Sequence, residues 1–89
     1  MKKTARRGTR AYVLIETSPG KAKSVKQALA RIRGASATVT NLDGVTGPYD
    51  FIATVEAPTL DAIGRLVTDE IGSISGVTRT TTCVAVAIG

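Results

Sequence analysis

The spacing of apolar positions changes along the chain, and each change marks an element. Ala11-Tyr-Val-Leu-Ile-Glu-Thr17 is a short run rich in β-branched and aromatic residues, which predicts a first strand. Ser18-Pro19 follows, a capping residue type with proline at the first helical position. Ala22, Val25, Ala28, Leu29 and Ile32 then recur at helical spacing with Lys, Arg and Gln between them, which predicts a helix to about Arg33, capped by Gly34. A second strand is expected over 37–42, leading into Asp43-Gly-Val-Thr-Gly-Pro48, and a third from Tyr49 or Asp50 to Ala57. Thr59 suits the cap of a second helix, with Leu60, Ile63, Leu66, Val67 and Ile71 on its inner face. Residues 72–76 break that pattern, and a last strand is expected from Val77 to Ile88.

The order contains a weak repeat. Tyr12 and Phe51 open two strands, Pro19 and Pro58 open two helices, and both pairs share one offset. Two βα units, each returning by a strand, give β-α-β-β-α-β, the ferredoxin-like split βαβ arrangement of the α+β class. Right-handed crossovers put the first and third strands at the centre of a four-stranded antiparallel sheet, with both helices on one face. The strands, however, are apolar on both sides. Val13 and Ile15 alternate with Tyr12 and Leu14, Phe51, Ala53 and Val55 with Ile52, and Val84, Val86 and Ile88 with Cys83, Ala85 and Ala87. Two helices cover one face only, so the other face predicts a second cover, and another copy of the chain is the natural one.

Composition sharpens this expectation. A domain of 89 residues buries only about 60–65% of the surface its unfolded chain exposes, and domains this small usually need a staple. Cys83 is alone and there is no histidine, which removes disulfides and leaves zinc without ligands. Self-association is the remaining source of burial. The same absences remove Ser-His and Cys-His nucleophile pairs, and no Gly-Lys-Ser/Thr loop is present, so neither enzyme activity nor a cofactor is expected. The net charge of +5 comes from Lys2, Lys3, Arg6, Arg7 and Arg10. Beyond them the charges balance. A basic, disordered arm over 1–10 and a folded domain over 11–89 are therefore expected, the latter with no DNA-binding surface of its own. Arg6-Arg7 lacks the apolar run of a secretory signal, no stretch approaches the ~20 apolar residues of a membrane span, and the lone thiol fits a reducing compartment. A cytoplasmic protein without membrane contact is the expectation.

The segment Asp43-Gly-Val-Thr-Gly-Pro-Tyr-Asp-Phe-Ile-Ala-Thr-Val-Glu56 holds the candidate chemistry. Two glycines and a proline set a sharp, exposed bend, and Asp50 stands at the mouth of the third strand. Backbone N–H groups near glycine approach an anion closely, and a fixed carboxylate receives an ammonium, so together they match the two ends of a free amino acid. Gly44, Gly47 and Pro48 also suit a plain hairpin turn, and threonines are ordinary strand residues. With the following helix and Gly76-Val-Thr-Arg-Thr-Thr-Thr82, the segment resembles the effector-binding domain of the Lrp/AsnC family, also called the regulation of amino-acid metabolism domain. That family's hairpin reads Gly-x-Tyr/Phe-Asp before an apolar strand, here Gly47-Pro48-Tyr49-Asp50, and its last strand opens with Gly-Val and threonines.

The resemblance covers about Ala11 to Ile88. It implies dimers through paired sheets, higher rings such as octamers, and an amino-acid effector bound between dimers. Residue by residue it points to Gly47, Tyr49, Asp50, Thr80 and Thr82. Family regulators carry a helix-turn-helix ahead of this domain, whereas ten residues precede the first strand here, so the resemblance is to a stand-alone form with a full-length regulator as a further partner. Two other classes share the topology. An RNA-recognition module would stack bases on Tyr12 and Phe51, but Pro48 and Asp50 interrupt its motif and the chain has only two Tyr and one Phe. A dimeric ferredoxin-like enzyme would use His, Trp or several aromatics, all scarce here.

Overall fold

The computed structural model describes residues 8–88. Its elements run β1 (Thr9–Thr17), α1 (Ala22–Ala30), β2 (Thr38–Gly44), β3 (Phe51–Ala57), α2 (Leu60–Arg65) continuing into a π-helical turn (Leu66–Ile71), and β4 (Val77–Val84). The strands form one antiparallel sheet in the order β2-β3-β1-β4. This is the expected α+β, ferredoxin-like arrangement, with the first and third strands central.

Several boundaries differ from expectation for identifiable reasons. β1 starts two residues early, so Thr9 and Arg10 belong to the sheet, opposite Ala57 and Glu56, and not to the arm. The rest of that arm, over 1–7, lies outside the described residues. Ser18 does not cap α1. Its carbonyl accepts the Lys21 N–H at 3.0 Å across Pro19-Gly20, and Gly20 has φ +80°, a conformation that proline followed by glycine favours in a turn. The helix therefore begins after that turn, and Gly34 falls beyond its end. β4 stops at Val84 instead of Ile88. The repeat is also inexact, because Phe51 faces the helices while Tyr12 faces the opposite side.

The core lies between the sheet and the helices. Ala11, Val13 and Ile15 of β1 and Phe51, Ala53, Val55 and Ala57 of β3 meet Val25 and Leu29 of α1 and Ile63, Leu66 and Ile71 of the second helix. Thr59 accepts the Ala62 N–H at 3.1 Å and caps that helix as expected. Leu60 is exposed, against expectation, because it stands in the first turn at the rim of the sheet. The π turn, with Gly72 N–H donating to Val67 O at 2.7 Å, explains how Leu66 and Ile71 are both buried. Residues five apart stand roughly 140° apart around an α-helix, and the wider turn brings them back to one side.

The other face of the sheet has no cover from the described chain. At its centre Leu14 lies between Ile52 and Thr81, and Tyr12 between Thr54 and Cys83. Ion pairs bracket this strip, Arg10–Glu56 at 3.4 Å and Arg79–Glu16 at 3.9 Å. Arg10 also donates to the Tyr12 hydroxyl at 3.5 Å, and that bond, reinforced by Glu56, raises its pKa and keeps it charged.

Candidate ligand-binding site

The hairpin between β2 and β3 closes with Val45 N–H donating to Asp50 O at 2.9 Å. Gly47, at its tip, has φ +112° and open space around it, a conformation that side chains other than glycine's rarely allow. No protein acceptor takes the N–H of Thr46, Gly47 or Tyr49 among the described residues. Asp50 ties this hairpin to the centre of the sheet. Its N–H donates to Ile15 O at 2.8 Å, and its Oδ2 accepts both the Thr17 N–H at 2.7 Å and the Thr17 hydroxyl at 3.0 Å. Both bonds fall on one oxygen. Oδ1 accepts no bond from the described residues.

The turn after β1 joins the same end of the molecule, because Ser18 N–H donates to Gly76 O at 2.8 Å just before β4. The hairpin, that turn and the start of β4 therefore form one rim. Gly47, Tyr49 and Asp50 stand together on it. Thr80 and Thr82 do not join them within one chain. They pair with Ile15 and Val13, so they share the helix-side face, and they stand about 10 and 17 Å along β4 from Val77. β1 separates that strand from the hairpin's own. Thr80 is half-buried and Thr82 exposed.

Sequence reasoning missed Thr17, which holds Asp50 in place. The only signal would have been the pairing of β1 with β3, since the two residues are far apart along the chain. Two cavities form elsewhere. One, of about 160 Å³, lies between the 34–37 loop and the second helix. The other is a broad cleft at the opposite end of the sheet. Among the described residues no cluster of three potential metal ligands occurs, and no helix is long and apolar enough to cross a membrane.

The chain matches the model of the Lrp/AsnC ligand binding domain over residues 10–88 and belongs to that family. It is 35% identical over 81 residues to the helix-turn-helix type transcriptional regulator PH1916 of Pyrococcus horikoshii, covering 88% of this chain and 51% of that protein. The chain thus spans about half the length of this curated relative. Among solved structures, TTHA0845 from Thermus thermophilus is similar at 31% identity and a TM-score of 0.79, over 91% of this chain and 96% of that one. The regulator NMB0573 from Neisseria meningitidis, solved as a complex with L-Met, shares the fold at 15% identity and a TM-score of 0.78, over 94% of this chain and 53% of that one.

Proposed function

We propose that the chain senses a free amino acid as a self-associating module, with the uncovered sheet face as the contact between copies. The observation that carries the reading is the hairpin. Asp50 is fixed by Thr17 yet keeps one carboxylate oxygen, and three backbone N–H groups stand unclaimed beside it among the described residues. That oxygen receives the α-ammonium, and the N–H groups near Gly47 hold the α-carboxylate. Tyr49 closes the site, and Thr80 and Thr82, which lie on the helix-side face and stand apart from the hairpin in one chain, are supplied by a copy from a neighbouring dimer. The neisserial regulator, which shares the fold and was solved as a complex with L-Met, supports the ligand class.

Assembly beyond the dimer, up to an octameric ring, and association with a full-length DNA-binding member of the family complete the proposal. Both helices of the described chain pack on the sheet, so operator contact is assigned to that partner. The RNA-binding reading loses its platform, because Phe51 is only 6% exposed and faces the helices.

A thermal-shift panel of the twenty amino acids tests the proposal. A ligand at a hundred times its Kd stabilises the folded state by about 2.7 kcal/mol. In a domain of this size that raises Tm by roughly 10–20 °C. At least one amino acid is expected to do so at millimolar concentration, and a flat panel overturns the reading.

A further inference from the structure

The charges of the folded domain balance in sum, but they are not mixed along it. No acid lies between Glu16 and Asp43, while Lys21, Lys23, Lys26, Arg31 and Arg33 all do. These five stand on α1 or in the residues that flank it, and every one is exposed. Among the described residues none of them is ion-paired. The other described cations, Arg10, Arg65 and Arg79, each hold a carboxylate, at 3.4, 3.0 and 3.9 Å.

Helix stability does not account for this placement. The first turn of α1 holds no acid, and Lys21 and Lys23 put positive charge where the helix dipole is already positive. Lys23 and Lys26 are three residues apart, so two like charges are neighbours on the exposed surface. The apolar side of the helix, with Val25 and Leu29, is committed to the core. The outer side therefore carries an uncompensated positive stripe on a fixed element, and an anionic partner relieves both conflicts.

What the stripe lacks defines that partner. No aromatic residue lies on α1 or its flanks: Phe51 is buried, Tyr12 lies on the open sheet face and Tyr49 in the hairpin. Single-stranded nucleic acid is held by stacking on such residues. A membrane surface takes up apolar side chains beside the charges, and those of α1 are buried. A duplex needs neither. α1, with 9 residues, is about 14 Å long. Duplex DNA carries one charge for about every 1.7 Å of its axis, so the stripe meets several phosphates at once. Phosphate contacts position a protein without reading the bases. The choice of operator therefore stays with the DNA-binding partner.

We infer that the outer side of α1 binds the phosphate backbone of duplex DNA without sequence preference, as a second contact beside that of the partner regulator. The inference goes beyond the proposed sensing of an amino acid and does not need the ligand.

Fluorescence anisotropy tests it, with the full chain titrated onto a labelled duplex of arbitrary sequence over a range of salt. Lys23→Gln/Lys26→Gln and Arg65→Glu lower the net charge equally, the first on the stripe and the second at a cation that is already paired. All three positions are exposed, so far-UV circular dichroism should be unchanged. The stripe variant is expected to weaken binding at least tenfold at low salt. It should also reduce the slope of log affinity against log salt by about 1.8, since each phosphate contact contributes about 0.9. Arg65→Glu should change affinity by less than about twofold. An unchanged slope in the stripe variant would leave the binding to cations elsewhere in the chain and overturns the inference. Equal losses in the two variants, a parent that binds no duplex at low salt, or a parent that prefers phosphatidylserine vesicles to the duplex overturn it as well.

Discussion

At the residue scale the proposal gives Asp50 two jobs on different oxygens. Oδ2 accepts two bonds from Thr17 and so fixes the hairpin, while Oδ1, which accepts no bond from the described residues, is the oxygen proposed to meet a ligand. Hydrogen bonds to a charged group contribute about 1.5–3 kcal/mol, so Asp50→Asn should lower stability and also weaken amino-acid binding by roughly 10- to 100-fold. Thr17→Val keeps the backbone bond and removes only the hydroxyl. It should cost about 1.5–3 kcal/mol of stability and leave affinity within about twofold. Melting temperature and calorimetric affinity on both variants check this, and equal loss of affinity in the two would assign Asp50 a purely structural role. Part of this site was legible in the sequence. Glycine and proline announced the bend and Asp50 its position at the strand mouth, because turn chemistry is local. The clamp on Thr17 was not legible, since it depends on how β1 and β3 pair.

At the element scale, local signals succeeded where one cause acted and failed where two competed. Thr59 before an apolar helical pattern is a cap and nothing else, and the structure has it so. Thr59→Ala should cost about 1 kcal/mol. In a small protein this lowers the urea midpoint by roughly 0.5–1 M. At Ser18-Pro-Gly20 the same cap signal met a turn signal, and the turn prevailed because Gly20 takes the positive φ that turn needs. The π turn was hidden because Leu60, Ile63, Leu66, Val67 and Ile71 already read as one ordinary helical face, which calls for no wider turn. Ile71, wholly buried by that turn, should cost about 2–5 kcal/mol as Ile71→Ala, read from the same denaturation curves.

At the scale of the whole molecule, the deciding feature is a sheet that the described residues cover on one side only. Alternation in β1 and β3 revealed this in the sequence, because each strand put apolar residues on both faces. The start of the sheet at Thr9 was not visible there, because Thr9 and Arg10 read as part of a basic arm. Leu14, at the centre of the uncovered face, neighbours Val13 and Ile15 but points away from their core. Leu14→Glu should therefore leave the fold intact by circular dichroism. It should also weaken association at least a hundredfold by sedimentation, because it would place a carboxylate in the proposed apolar contact between copies.

That variant also gives the most direct test of the central claim, that the ligand site is completed by assembly. The amino acid found in the thermal-shift panel is titrated calorimetrically into the parent, at a concentration where it is assembled, and into the monomeric Leu14→Glu chain. Saturable heat from the parent, and at least a tenfold weaker response from the monomer, is the predicted result. Equal affinity in the two would place the whole site within one chain and contradict the account.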